Sequence, residues 1–169
     1  ANGLITVLSE PGKGASFKVY IPAVSSEEEE IKAEDVPAME TLKGTETILV
    51  VEDEQQVRSL VVEVLQSYGY QILEAVNGEE GALLSEKLHD RHISLIVTDA
   101  VMPQMSGMEM VARIRARRSN IKVLFISGYA NNLMTEKEIL SGQFEFLHKP
   151  FSSIDLARKI RETLNKTGP

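Results

Sequence analysis

The sequence predicts an α/β protein with a doubly wound parallel sheet, and three observations predict it. From residue 47 onward, short apolar runs alternate with stretches of helical periodicity. The runs at 48–51, 93–97 and 123–126 have almost no polar alternate face, Ser94 apart, as strands covered on both sides require. The residues able to do chemistry stand just past the ends of such runs, where open sheets of this kind bind their ligands.

In chain order, residues 1–22 alternate and turn. Leu4-Ile5-Thr6-Val7-Leu8, a Pro11-Gly12-Lys13-Gly14 loop and Phe17-Lys18-Val19-Tyr20-Ile21 predict two strands joined as a hairpin. A lone hairpin is marginal in water. Residues 23–46 carry Ser25-Ser26 and four consecutive glutamates, Glu27 to Glu30, with little apolar periodicity, and predict an acidic, solvated linker. Within 47–169, the strands at 71–75 and 144–147 alternate more, which places them nearer the sheet edges. Val57, Leu60, Val61, Val64, Leu65 and Tyr68 recur at helical spacing and predict one buried stripe. Asn77, with Glu80 three residues on, predicts a capping pair that opens a helix through Leu88. Residues 107–118, about 132–141 and 153–165 supply three more helices, completing five strand–helix repeats.

At 169 residues the chain suits one domain of ordinary size plus an appendage. With 43% hydrophobic and 25% charged residues it is neither disordered nor fibrous. The absence of Cys removes disulfides, thiolate metal sites and a Cys nucleophile, and fits a reducing compartment. No apolar run approaches the roughly 18 to 20 residues of a membrane span. The net charge of -7 is uneven: residues 1–46 hold nine acidic and four basic side chains, the remainder 16 and 14. An acidic chain with 5% aromatics and no Trp argues against nucleic-acid binding. The chain opens on Ala1, directly in a strand-like pattern, and is expected to be a piece of a longer protein.

The predicted strands end in Glu52-Asp53-Glu54, Asp99, Ser127 and Lys149. Packing alone does not explain crowding Glu52, Asp53 and Asp99 together, because like charges repel unless a cation compensates. Hard oxygen ligands with part of the shell left to water suit Mg²⁺.

On these residues, 47–169 resembles the receiver domain of two-component response regulators. The matching stretches are Ile48-Leu49-Val50-Val51-Glu52-Asp53-Glu54, Thr98-Asp99-Ala100-Val101-Met102-Pro103-Gln104-Met105-Ser106-Gly107, Phe125-Ile126-Ser127-Gly128-Tyr129 and Phe146-Leu147-His148-Lys149-Pro150-Phe151. The resemblance implies a flavodoxin-like sheet of strand order 2-1-3-4-5 and a phosphoacceptor at Asp99. It implies Mg²⁺ held by Glu52, Asp53, Asp99 and the carbonyl of Val101, with Ser127 and Lys149 on the phosphoryl oxygens. Glu52 stands where many members have Asp, and its longer arm would reach the metal through water. The implied donor is a phosphohistidine, on the protein's own kinase core or on a histidine phosphotransfer protein. After transfer Ser127 would be drawn inward and Phe146 would turn into the space, changing the surface around the last two strands. A cis bond at Lys149-Pro150 is also expected.

Residues 1–22 have a resemblance of their own. Gly3-Leu4-Ile5-Thr6-Val7, the Pro11-Gly12-Lys13-Gly14-Ala15-Ser16-Phe17 turn and Tyr20-Ile21-Pro22 are similar to the last two strands of a histidine-kinase ATP-binding domain, with Ala15 in place of the family's threonine. The resemblances together imply the carboxyl-terminal piece of a hybrid histidine kinase. That piece takes part in phosphotransfer but lacks an ATP site, and it is expected to be cytoplasmic, with any membrane anchor of the parent lying upstream.

Taken singly, Asp99 reads as a turn or cap residue and Ser127 and Lys149 as surface residues; their joint placement carries the assignment. For Phe146, core packing of an alternating strand competes with a switch role on nearly equal terms, and Tyr129 reads as loop packing. Met102, Met105, Met108 and Met110 read as packing fillers. His89 and His92 lack a third ligand and read as a solvated helix end, and His148 as exposed. Arg113, Arg115, Arg117 and Arg118 form a basic helix end that complements the dipole. Gly12-Lys13-Gly14 lacks the spacing of a phosphate-binding P-loop. Two rivals stand beside the main reading. A pseudo-receiver that only binds partners is disfavoured by the intact acidic set. A phosphatase-like hydrolase would need an Asp-x-Asp pattern after the first strand, which Glu52-Asp53-Glu54 does not supply.

Overall fold

The computed structural model describes residues 3–21, 39–88, 93–128 and 144–166. The chain divides into two compact units, Ala1–Val36 and Pro37–Pro169.

The first unit is the expected hairpin. Strands β1 (Leu4–Glu10) and β2 (Gly14–Tyr20) pair antiparallel from Leu4 opposite Tyr20 to Glu10 opposite Gly14. The turn closes with the Lys13 amide donating to the Glu10 carbonyl at 3.0 Å. Because side chains alternate along a strand, Ile5, Val7, Phe17 and Val19 share one face, and each is more than half exposed.

The second unit holds β3 (Thr47–Val51), α1 (Gln55–Ser67), β4 (Gln71–Ala75), α2 (Gly78–Lys87), β5 (Ile93–Asp99), α3 (Gly107–Arg115), β6 (Lys122–Ser127), β7 (Glu145–His148) and α4 (Ser153–Asn165). Its five strands pair in the order β4-β3-β5-β6-β7, all parallel. Counted within the sheet this is 2-1-3-4-5. The near-continuous apolar strands divide by parity between two cores. Ile48, Val50, Leu95, Val97, Leu124 and Ile126 pack with Val61 and Leu65 of α1 and Leu156 and Ile160 of α4. Leu49, Val51, Ile96, Val123 and Phe125 pack with Ala82 of α2 and Met110, Val111 and Ile114 of α3 on the other face. Coverage on both faces is what removes the polar alternate positions from β3, β5 and β6.

Several details differ from expectation. Val61, Val64, Leu65 and Tyr68 are buried and Val57 packs on the core as expected, but Leu60 is 53% exposed and Val62 is buried in its place, so the α1 stripe is shifted at one edge. The helix packs over β3 and β4, which draws in the side carrying Arg58 and Val62 and leaves Leu60 at the rim. Helix α3 stops at Arg115 rather than 118, because the amides of Arg117 and Arg118 both donate to the Ile114 carbonyl in a tight final turn. The arginines there serve more than the dipole. Arg113 and Arg117 pair with Glu86 of α2 at 3.1 and 3.3 Å, Arg118 donates to the carbonyls of Ser85 and Leu88, and Arg115 lies 4.4 Å from the Phe144 ring centre. The last part of the expected linker packs onto the second unit. Met39–Leu42 forms a short 3₁₀ turn, Leu42 is buried, and the Tyr70 hydroxyl donates to its carbonyl at 2.9 Å. Arg161 of α4 ties down Glu46 and the Lys43 carbonyl. The expected helix near 132–141, together with Tyr129, His89 and His92, lies outside the described residues.

Candidate functional site

The parallel strands bring their carboxyl ends to one edge of the sheet, and residues far apart in sequence meet there. Glu52 follows β3, and its amide still donates to the Ala75 carbonyl of β4 at 3.3 Å. That bond holds it against the sheet, and it is only 4% exposed. Asp99 ends β5, and one of its oxygens accepts the Val101 amide at 2.8 Å. Lys149 follows β7, where its amide donates to the Ser127 carbonyl at 3.1 Å across the β6–β7 pair. Its ammonium stands 2.9 Å from Asp99 Oδ2 and 3.1 Å from Glu52 Oε2. The Lys149-Pro150 bond is cis, as expected.

The turn from β5 into α3 leaves no room for a side chain at its last step. A Cβ on Gly107 would run into the Asp99 carbonyl oxygen, so glycine is what lets α3 start this close to the acid. The preceding residue, Ser106, caps that helix through a reciprocal box with Glu109.

Charge sets the chemistry. Burial pushes the Glu52 carboxyl above the usual carboxylate range; the Lys149 ammonium opposes this, while Asp99 and Asp53 add repulsion. Burial also works against the Lys149 charge, but its hydrogen bonds to Asp99 and Glu52 outweigh it and hold the ammonium above the usual lysine range. Glu52 and Asp99 therefore share one ammonium, and Asp53 adds a third carboxylate close enough to act on Glu52.

Among the described residues no three acidic or imidazole side chains enclose a metal position; Glu52 and Asp99 instead share Lys149. An open set of hard oxygens is nonetheless what Mg²⁺ takes, since that ion keeps several waters and needs only one or two carboxylates. The donor chemistry fits.

Of the residues singled out in the sequence, Glu52, Asp99 and Lys149 meet directly. Asp53 is exposed next to Glu52 and close enough to act on its charge. Ser127 is buried at the end of β6, and Val101, 52% exposed, touches Asp99 through its amide. Phe146 is half-buried and stacked on Phe125, ring centres 5.5 Å apart and 19° from parallel. His148 is exposed, and Met102 and Met110 are buried in the core, as expected. Sequence reasoning missed Arg58. Its guanidinium, 13% exposed, donates to the Glu52 carbonyl at 2.8 Å. A lone cation six residues after the first acid was its only trace.

Residues 48–161 match the family model of the response regulator receiver domain. The sensor kinase CckA of Brucella abortus is 37% identical over 97% of this chain and 18% of its own length. The response regulator receiver protein CpdR of the same organism is 32% identical over 69% of this chain and 95% of its own. This chain thus spans less than a fifth of the kinase it resembles. Among solved structures, the receiver domain of the hybrid histidine kinase CckA superposes with a TM-score of 0.60 at 33% identity, covering 70% of this chain and 99% of that one. The receiver domain of sensor histidine kinase PA1611 from Pseudomonas aeruginosa, solved with a magnesium ion coordinated in its active-site cleft, superposes at 0.62 over 73% of this chain and 100% of that one. At 22% identity that likeness shows the fold alone.

Proposed function

The chain belongs to the response regulator receiver domain family and acts as a phosphoacceptor in two-component signalling; on that premise we propose that Asp99 is the acceptor, served by Glu52, Asp53, Lys149, Ser127 and the Val101 carbonyl. The observation that carries the assignment is the Lys149 ammonium seated 2.9 Å from Asp99 and 3.1 Å from Glu52 at the carboxyl edge of the sheet.

The phosphodonor is a phosphohistidine. An Asp99 carboxylate oxygen attacks phosphorus, the P–N bond breaks, and the departing imidazole nitrogen keeps the bonding pair. Negative charge spreads over three equatorial oxygens in the transition state, and Lys149 is within reach to neutralise part of it. Mg²⁺, held by Glu52, Asp53, Asp99 and the Val101 carbonyl, would supply further charge neutralisation when bound. Glu52 and Asp99 hold Lys149 in advance, so its charge needs little reorganisation. Ser127 then turns to the new oxygens, and Phe146 leaves its stack on Phe125 for the vacated space. The readout is a changed face around β6 and β7.

We further propose that β1 and β2 are the last strands of an upstream ATP-binding domain and that the whole protein is a hybrid histidine kinase. The 97% coverage of this chain by the sensor kinase alignment supports this, because it runs through the hairpin as well as the receiver. So does the apolar face of Ile5, Val7, Phe17 and Val19, which an isolated hairpin cannot bury. The protein's own kinase core or a histidine phosphotransfer protein would supply the phosphoryl group. No described helix is long and apolar enough to cross a membrane, and the net charge of -7 speaks against a nucleic-acid partner. A cytoplasmic location suits both.

Asp99→Asn tests the assignment. Beryllofluoride binding and labelling by a small phosphodonor should both disappear. Labelling that persists in this variant would overturn the assignment, and no response of the unmodified chain to millimolar Mg²⁺ would favour a receiver that only binds partners.

A further inference from the structure

Arg58 stands beneath the acidic corner, and the mechanism above makes no use of it. Its guanidinium donates through Nη1 to the Glu52 carbonyl at 2.8 Å, and its Nε lies 3.8 Å from Glu74 Oε2 on β4. The arginine side chain is 13% exposed, whereas Glu74 is 50% exposed, so the firm contact is the one to the carbonyl. That carbonyl belongs to the peptide joining Glu52 to Asp53. Arg58 sits on the first turn of α1, and its own amide donates to the Glu54 carbonyl at 2.9 Å. Side chain and backbone of one residue thus bracket the loop Glu52-Asp53-Glu54 from both ends.

We propose that Arg58 is a positioning residue for the divalent-cation site, acting through the Glu52-Asp53 peptide rather than on the metal. The inference rests on the Mg²⁺ reading above. A loop that presents two adjacent carboxylates, one buried and one exposed, resists holding them close, since like charges repel. Arg58 fixes the peptide between them with a charge-assisted hydrogen bond in a half-buried site, where such bonds are strong. Supports of this kind around metal ligands commonly govern affinity by an order of magnitude.

Charge and positioning predict opposite signs. A cation near the acids repels Mg²⁺, so if charge were all that mattered, neutralising Arg58 would tighten metal binding. If Arg58 positions the loop, neutralising it weakens binding. Arg58→Met keeps most of the stem's packing while removing the donor and the charge.

The test is isothermal titration of the full 169-residue chain with MgCl₂ at fixed ionic strength, alongside thermal unfolding without metal. Arg58→Met should weaken Mg²⁺ binding roughly tenfold. Arg58→Lys, which keeps the charge and one donor, should fall between the two, about two- to fivefold weaker. Wild-type or tighter affinity in Arg58→Met would overturn the inference while leaving the metal site standing. If Arg58→Met does not fold, Arg58→Lys decides alone, and wild-type affinity there would overturn the inference. A chain that gives no Mg²⁺ heat before mutation would overturn the metal reading and this inference with it.

Discussion

Lys149 is shared by Glu52 and Asp99, and each of the three depends on a different strand for its place. Their residue types were legible in the sequence because acids and a lysine past apolar strands have no packing role. Their distances were not, since separations of 97 and 50 residues are closed only by the sheet. Gly107 makes the dependence testable. Alanine is the better helix former by about 1 kcal/mol in an ordinary helix, yet here a Cβ would run into the Asp99 carbonyl. Gly107→Ala is therefore expected to destabilise, by about 1–3 kcal/mol in urea unfolding, and to lower the rate of Asp99 labelling by shifting the acid. A stabilised variant would show that the turn adapts.

At the scale of elements, local signals settled where helices begin. Asn77 accepts the Glu80 amide at 2.9 Å, as the spacing predicts, while the Glu80 carboxylate reaches one residue further back than a capping box requires, to the Val76 amide at 2.8 Å. Ser106 and Ser152 cap α3 and α4 with full capping boxes. Replacing either serine by alanine should cost about 1 kcal/mol, seen as a fall of about 2–4 °C in Tm for a chain of this size. An unchanged Tm would mean that tertiary packing alone holds those helix starts. Helix ends and rotations were less legible. Helix α3 ends on a C-cap at Ala116, and the two arginines that follow turn back, through their amides to the Ile114 carbonyl and through Arg117 to Glu86 on α2. Leu60 shows the same limit, since periodicity marks a stripe but not how far the helix rolls over β4.

For the second unit as a whole, two ion-pair groups link distant segments. Burial of Glu46 disfavours its charge, but the hydrogen bond and charge of Arg161, together with hydrogen bonds from the backbone amides of Thr45 and Glu46, outweigh this and hold the carboxyl below its usual value. Glu145 behaves likewise, burial being outweighed by Lys159 and Lys166. A lowered folded pKa means that the unfolded chain binds protons more readily, so stability is present above the ordinary carboxylate value and is lost as pH falls through the lowered folded one. Unfolding free energy should decline below about pH 4.5, and the double variant Glu46→Gln, Glu145→Gln should show a shallower decline in urea titrations between about pH 3 and 7. An identical slope would place the acid sensitivity elsewhere.

The sequence by itself determined the sheet, the helices on both of its faces and the identity of the acids, hydroxyl and lysine at its carboxyl edge. Those are set by apolar periodicity and by local capping chemistry, which act within a few turns of chain. Tertiary structure alone decided that Lys149 bridges Glu52 and Asp99, that Phe146 lies stacked on Phe125, that residues 39–46 belong to the packed unit, and that Arg58 reaches back to the Glu52 carbonyl. Each depends on how far one element rolls or leans against another, and that is fixed by the shapes of side chains distant in sequence competing for the same core volume.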